Sequence, residues 1–207
     1  MKYNELHWDD KTSLEAVIQA LKMGDAVIGT TDTVLGLLAD TTQEGFDCLN
    51  QIKGRSNKPY LILIPSQEAL YHFVDLPLAG PVQKLVDQCW PGPLTIIFKV
   101  KAGAPSHLTS PDGTIALRVP KHAGLQAVLK HFNGLFSTSA NMAGGPIPET
   151  IEQLDPLIRQ KVAHLVVDSD TGQPASLPST IIDCSGDEIK IVREGAFSKE
   201  HLMQLIR

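Results

Sequence analysis

The amino-acid sequence predicts an α/β fold built on a twisted, mixed and open sheet. Short apolar runs of strand length alternate with amphipathic helical segments, and no repeat interrupts them. Hydrophobic residues make up 43% of the 207 residues, which is enough for a substantial core. Because no Pro/Gly/Ser-rich linker divides the chain, we expect residues 1–207 to form a single domain.

The first half of the chain contains the clearest helical signals. Thr12 to Glu15 is a capping-box pattern, and the helix that it begins should stop at Gly24. After this helix the sequence predicts a strand at 26–29, a helix with Phe46, Leu49 and Ile52 on one face, a strand at 60–64, a helix at 82–89, and strands at 95–100 and 115–119.

The second half continues the alternation with shorter elements. The predictions are a helix at 124–131, strands at 135–137, 162–167, 180–183 and 189–193, and a last helix capped by Ser198. The last two strands flank the turn residues 185–188, so they can form a hairpin. This order of elements favours a mixed sheet over an all-parallel one.

Composition narrows the classes of function. Cys48, Cys89 and Cys184 are odd in number and far apart, which predicts a reducing, cytoplasmic location without a disulfide framework. The histidines are dispersed as well, so we assign no metal site to protein ligands. Apolar runs are too short to cross a bilayer, and the N-terminus lacks the apolar stretch of a signal peptide.

Positive charge is concentrated in the middle of a chain whose net charge is -5. Residues 48–148 carry nine basic and four acidic residues. Lys53, Arg55 and Lys58 lie within six residues, and no Asp or Glu occurs between Asp47 and Glu68. Arg and Lys side chains suit phosphate or carboxylate, so this segment predicts an anion site, although a solvated basic loop is the alternative.

Further polar groups follow or interrupt the predicted strands, where α/β sheets bind ligands. They are the segment 30–37 with Thr31, Asp32 and Thr33, the segment 136–146 with Ser137, Ser139 and Asn141, and the single residues Arg118, Ser179 and Arg193. Each could instead be a cap or part of an internal salt bridge. A charge inside an apolar strand, as at Arg118, must be paired or face a ligand. Neither a P-loop nor a Gly-x-Gly-x-x-Gly motif is present.

Taken together, these segments resemble the YrdC-type family, the threonylcarbamoyl-AMP synthases of tRNA modification, and among them the short, single-domain bacterial type. The resemblance covers nearly the whole chain in collinear order. The blocks that carry it are Thr31-Asp32-Thr33-x-x-Gly36-Leu37, Lys53-Gly54-Arg55 with Lys58-Pro59, Trp90-Pro91-Gly92-Pro93-Leu94-Thr95, Leu117-Arg118-Val119-Pro120, Ser137-Thr138-Ser139-Ala140-Asn141, Ser179-Thr180-Ile181-Ile182-Asp183 and Arg193-Glu194-Gly195.

This resemblance implies a reaction and a fold. The family makes L-threonylcarbamoyl-AMP from L-threonine, bicarbonate and ATP, with magnesium, and releases pyrophosphate. Its sheet surrounds a concave, positively charged cavity. Other proteins then transfer the threonylcarbamoyl group to adenosine 37 of tRNA, so we expect a transient hand-over to them.

The resemblance also implies roles for individual residues. Lys53, Arg55 and Lys58 would contact the ATP phosphates, with Lys53 and Arg55 catalytic, and Asn141 and Arg193 would complete the ATP site. Thr31, Thr33, Arg118, Ser139 and Ser179 would hold threonine, with Arg118 on its carboxylate. Elementary chemistry agrees, because adenylation needs cations that neutralise the departing pyrophosphate and needs little acid–base catalysis.

Two positions depart from the family pattern, and two alternatives stay open. Thr30 stands where the family often has Pro, and Leu35 where an aromatic residue commonly precedes the glycine of the block, a ring that we expect to contribute to the pocket wall. Leu35 therefore leaves open a related carbamoyl-adenylating enzyme with a different amine substrate. The basic middle of the chain leaves open a non-catalytic RNA-binding module, although aromatic residues are only 5% of the chain.

Overall fold

The computed structural model describes residues 5–54, 59–169 and 177–206. Within them the strands are β1 (Glu5–His7), β2 (Val27–Gly29), β3 (Gly36–Asp40), β4 (Leu61–Leu63), β5 (Leu94–Lys99), β6 (Thr114–Arg118), β7 (Leu135–Ser139), β8 (His164–Val167), β9 (Thr180–Asp183) and β10 (Lys190–Arg193). The helices are α1 (Lys11–Lys22), α2 (Gln43–Lys53), α3 (Gly80–Cys89), α4 (Ala123–Leu129), α5 (Pro156–Arg159) and α6 (Lys199–Leu205), with short 3₁₀ turns at Gln67–His72, Ser106–Leu108 and Ile151–Gln153.

The ten described strands form one sheet in the order β1-β8-β2-β3-β7-β4-β6-β5-β9-β10. Parallel pairs are β1 with β8, β2 with β8, β4 with β6 and β5 with β9, and the other neighbours are antiparallel. The predicted mixed α/β sheet is therefore confirmed, as is the hairpin of β9 and β10. That all 207 residues form a single domain stays a prediction.

Hydrophobic side chains are buried on both faces of the central strands. Neighbouring residues of one strand fall into two separate clusters: Val27 and Leu38 pack with α1 and α4, whereas Ile28 and Leu37 pack with the larger cluster. Because successive side chains of a strand point to opposite faces, this division places a core on each side of the sheet. Helices on both faces are what a mixed α/β sheet requires.

Several details of the predicted elements were wrong or missing, among them β1 and α5, which were not predicted. Asp10, not Thr12, caps α1, since its carboxylate accepts from the backbone N–H of Ser13 at 2.7 Å. Strand β3 was not predicted, because its first four residues are all buried and show no alternation of polar and apolar residues. Strand β7 runs two residues further than predicted, so Ser139 belongs to the strand rather than to the loop.

None of the described helices is long and apolar enough to cross a membrane.

Candidate active site

A cavity of about 560 Å³ lies against one face of the central sheet. Alternate residues in part of β5 and throughout β6 line it, namely Thr95 and Ile97 from β5 and Thr114, Ala116 and Arg118 from β6. The alternate residues Leu94, Ile96, Ile115 and Leu117 are buried in the larger core cluster. The same sheet thus presents a mostly polar wall to the cavity and an apolar face to the core.

Two threonines form one end of this wall, in the turn between β2 and β3. The backbone N–H of Thr33 donates to Thr31 Oγ1 at 3.0 Å, and Thr31 Oγ1 donates to the carbonyl oxygen of Val34 at 2.7 Å. The two hydroxyl oxygens are 3.1 Å apart. These contacts fix both predicted threonine-binding side chains in the cavity wall.

Arg118 lies at the end of β6 and is only 2% exposed. Its Nη1 donates to Asp32 Oδ1 at 2.7 Å, and its Nη2 is 3.5 Å from Thr33 Oγ1. Asp32 Oδ2 accepts from the backbone N–H of Lys121 at 2.8 Å, so the carboxylate joins two loops. Within the described residues, the Arg118 Nε is a buried donor without an acceptor.

Ser179 and Arg193 form the opposite end of the cavity wall. Arg193 Nη2 donates to the carbonyl oxygen of Ser179 at 2.8 Å and approaches its hydroxyl at 3.3 Å, while Ser179 Oγ is 2.8 Å from Thr95 Oγ1. Burial lowers the pKa of Arg193, and the positive charge of Arg118 lowers it further. The two positively charged guanidinium groups therefore repel each other across one cavity, and an anion bound between them would relieve this repulsion.

Lys53 is placed differently from the prediction of a basic loop. It belongs to the last turn of α2, is 3% exposed, and directs its ammonium group to three oxygens of the β7 end. These are the carbonyl oxygen of Ser139 at 2.8 Å, the carbonyl oxygen of Asn141 at 2.5 Å and Asn141 Oδ1 at 3.0 Å. Ser139 is one of the residues that line the cavity, whereas Lys53 and Asn141 are not.

The other two members of the predicted basic triplet, Arg55 and Lys58, lie outside the described residues. Among the described residues that line the cavity, Arg118 and Arg193 are positive and Asp112 is negative. These three side chains give the described cavity wall a net charge of +1, and the further charge expected from Arg55 and Lys58 stays a prediction.

Several cavity residues were not predicted from the sequence. Thr114 Oγ1 donates to Asp112 Oδ1 at 2.8 Å, and the Ser110 hydroxyl donates to the same oxygen, which together hold the pKa of Asp112 below its usual value. A signal was available, because polar or small residues alternate with apolar ones along β6. No cluster of three or more His, Cys, Asp or Glu residues that could hold a metal occurs within the described ranges.

The expectation that position 35 belongs to the pocket wall is wrong. Leu35 is fully buried and packs in the larger core cluster. Its neighbours Val34 and Gly36 line the cavity instead. The local turn directs the Leu35 side chain away from the cavity. This departure from the family pattern therefore alters the packing of the core and leaves the cavity wall without a substitution at this position.

Comparisons with known proteins agree with the geometry. The family model for Sua5, YciO and YrdC proteins, described as "Telomere recombination", matches residues 19–195. A threonylcarbamoyl-AMP synthase of Xylella fastidiosa (strain M23) is 34% identical over 182 residues, which covers 86% of this chain and 96% of the relative. A putative threonylcarbamoyl-AMP synthase of Methanocaldococcus jannaschii is 32% identical over 210 residues, with 98% and 95% covered.

Solved structures show the same fold. E. coli YciO superposes with a TM-score of 0.81 at 20% identity, covering 97% of this chain and 98% of that one. P. abyssi Sua5 complexed with L-threonine gives a TM-score of 0.84 at 24% identity, and the match covers 95% of this chain but 58% of Sua5. The collinear blocks, the sheet and the family match together show that this chain belongs to the Sua5–YciO–YrdC family.

Proposed function

We propose that this chain makes L-threonylcarbamoyl-AMP from L-threonine, bicarbonate and ATP, with release of pyrophosphate. The observation that carries the proposal is the arrangement of Arg118 in the cavity wall. Its Nη1 is held by Asp32, while its buried Nε lacks an acceptor among the described residues. Because Nε has essentially no accessible surface, an amino-acid carboxylate would instead contact the part of Arg118 that lines the cavity, where Asp32 holds the positive charge in place.

The names of the relatives support this proposal. Curated proteins 32–34% identical to this chain are named threonylcarbamoyl-AMP synthase, and they align over most of their length. The P. abyssi Sua5 structure was determined with L-threonine, which makes threonine the first amino acid to test here.

The cavity residues suggest how the substrates would be arranged. Arg118 would bind the threonine carboxylate, with the hydroxyls of Thr31, Thr33, Ser139 and Ser179 around the rest of the amino acid. Arg193 would lie on the nucleotide side, together with Asn141. A wall of fixed polar groups would position the carboxylated amine next to the α-phosphorus, which is the main requirement of an in-line adenylation.

The remaining roles are proposals that rest on the family alone. Arg55 and Lys58 would neutralise the phosphates and the leaving pyrophosphate by contact, whereas Lys53, whose ammonium is already bonded to three protein oxygens, would contribute through its charge alone. Magnesium would arrive bound to ATP, as part of that substrate. The product would pass to proteins that modify adenosine 37 of tRNA in the cytoplasm. Direct RNA binding stays a prediction without a described feature that favours it.

Pyrophosphate release provides the test. Purified protein with L-threonine, bicarbonate, ATP and magnesium should release pyrophosphate well above a control without threonine. The variant Arg118→Met should lose most of the threonine-dependent signal, because it removes the proposed carboxylate partner. If wild-type protein releases no more pyrophosphate with threonine than without it, the proposed reaction is wrong.

Amino-acid selectivity tests the alternative of a different amine substrate. The alternative depended on Leu35 in the pocket wall, and this side chain is buried in the core instead. Threonine should therefore give a higher rate than serine, alanine or valine under the same conditions. A clear preference for another amino acid would favour the alternative enzyme.

A further inference from the structure

The ammonium group of Lys53 defines the direction of a hydrogen-bond network at the end of β7. An ammonium group has three N–H donors and no acceptor. Lys53 Nζ lies 2.8, 2.5 and 3.0 Å from the Ser139 carbonyl, the Asn141 carbonyl and Asn141 Oδ1. Each of these atoms must therefore accept, which requires that the side-chain atom of Asn141 nearest Lys53 is the oxygen.

A second contact fixes the same orientation of the Asn141 carboxamide. Its Nδ2 donates to the carbonyl oxygen of Gly145 at 2.5 Å. Rotating the carboxamide by 180° would turn its NH₂ group towards the ammonium and its oxygen towards another carbonyl oxygen. Both contacts would then be repulsive, so Lys53 and Gly145 together exclude the rotated state.

The fixed carboxamide oxygen in turn determines the direction of the Ser139 hydroxyl. Ser139 Oγ lies 2.6 Å from Asn141 Oδ1. Because this amide oxygen can only accept, the hydroxyl must donate, and a serine hydroxyl has a single proton. With its proton used in this way, Ser139 Oγ can still accept a hydrogen bond, and among the described residues no donor is directed to it. Ser139 lines the cavity, so this capacity is available to a bound molecule.

We propose that Lys53 is a positioning residue that acts through Asn141 and makes Ser139 an obligate acceptor for an N–H group of the amino-acid substrate. The inference rests on the proposed function and adds a basis for specificity to it. A carboxylate or phosphate oxygen would meet lone pairs at Ser139, whereas an ammonium or amine would be bound. The nitrogen keeps one hydrogen after carboxylation, so the same contact can persist in the carbamate.

The test compares two ligands that differ only in the amine. L-Threonine and (R)-3-hydroxybutanoate, which has hydrogen in place of the amino group, are titrated calorimetrically against wild type and variants. Wild type should bind threonine more tightly by about tenfold or more, the usual size of a hydrogen bond to a charged group. In Ser139→Ala this ratio of dissociation constants should fall by about tenfold.

Variants of Lys53 and Asn141 distinguish a positioning role from a non-specific loss of structure. Lys53→Met and Asn141→Ala should lower the same ratio, whereas a purely structural loss would weaken both ligands equally and leave the ratio unchanged. Ser137→Ala is the matched control on the same strand, two residues earlier, and should retain the ratio whatever its effect on affinity.

The outcomes distinguish this inference from the function on which it rests. An unchanged ratio in Ser139→Ala would overturn the acceptor role. An unchanged ratio in both Lys53→Met and Asn141→Ala would overturn the positioning role, and Asn141→Ala decides the question alone if Lys53→Met does not fold. Wild-type protein that binds no threonine at all would overturn the proposed function and this inference with it.

Discussion

Arg118 and Asp32 form an ion pair in which the side chains are only 2% and 7% exposed. Removing two charges from water is costly, and their attraction offsets this cost only when the geometry is good and further hydrogen bonds are made. The second carboxylate oxygen of Asp32 provides one such bond, to the backbone of Lys121. The pair therefore holds the guanidinium of Arg118 in place at the cavity while keeping its charge.

Removing one partner of this pair should be far more harmful than removing an exposed one. In Asp32→Ala the guanidinium of Arg118 stays buried without its counter-charge, so we expect the free energy of unfolding to fall by about 3–5 kcal/mol. The exposed pair of Lys11 and Glu15 gives the matched comparison, and Lys11→Ala should cost at most about 0.5 kcal/mol. Urea denaturation measures both, and equal losses in the two variants would contradict the structural role of Asp32.

At the scale of elements, α2 connects the core to the candidate site. It begins directly after β3, with Thr42 as its N-cap, and it ends at Lys53. Gly45 allows its first turn to lie against the end of β3, because a Cβ at this position would lie 2.2 Å from the carbonyl oxygen of Asp40. The position of the helix, and hence of the Lys53 ammonium, depends on this close approach.

Gly45→Ala tests the close approach. The added methyl group must displace backbone that cannot yield cheaply, so we expect the protein to lose about 1–3 kcal/mol of stability. Gly186→Ala is the control, since a Cβ on this glycine, between β9 and β10, meets nothing within 4 Å and its φ is not positive, so the change should be neutral or slightly stabilising. Thermal or urea unfolding of both variants provides the measurement. A Gly45→Ala protein as stable as the Gly186→Ala protein would mean that α2 is not packed this closely.

At the scale of the whole molecule, the cavity is assembled from distant parts of the chain. Its wall extends from Thr31 in the turn after β2 to Arg193 at the end of β10. The central strand β3 is almost entirely buried, whereas the edge strands β1 and β10 are largely exposed. The site therefore spans from the most buried part of the sheet to one of its exposed edges.

The decrease in burial from β3 to the edge strands predicts a pattern of amide hydrogen exchange. Amides of β3 and β7, which pair over five residues in the middle of the sheet, should exchange most slowly, and those of β10 fastest among the paired strands. L-Threonine should slow exchange most at the ends of β6 and β9, next to Arg118 and Ser179. Mass spectrometry of peptide fragments resolves these segments. Equal protection of β10 and β3 would contradict the described order of burial.

The sequence by itself determined the local elements and the residues from which the site is made. The 3.6-residue period of α1 and α3 and the short apolar runs of β4 and β5 are local signals, and so are the blocks that carry the family resemblance. Only the tertiary structure decided which residues meet. Asp32 and Arg118 are 86 positions apart, and Lys53 and Asn141 are 88 apart. The structure also placed Leu35 in the core and turned the Lys53 ammonium towards Asn141. Such contacts depend on strand order, register and the packing of helices on the sheet, which arise from the whole chain and leave no local pattern in it.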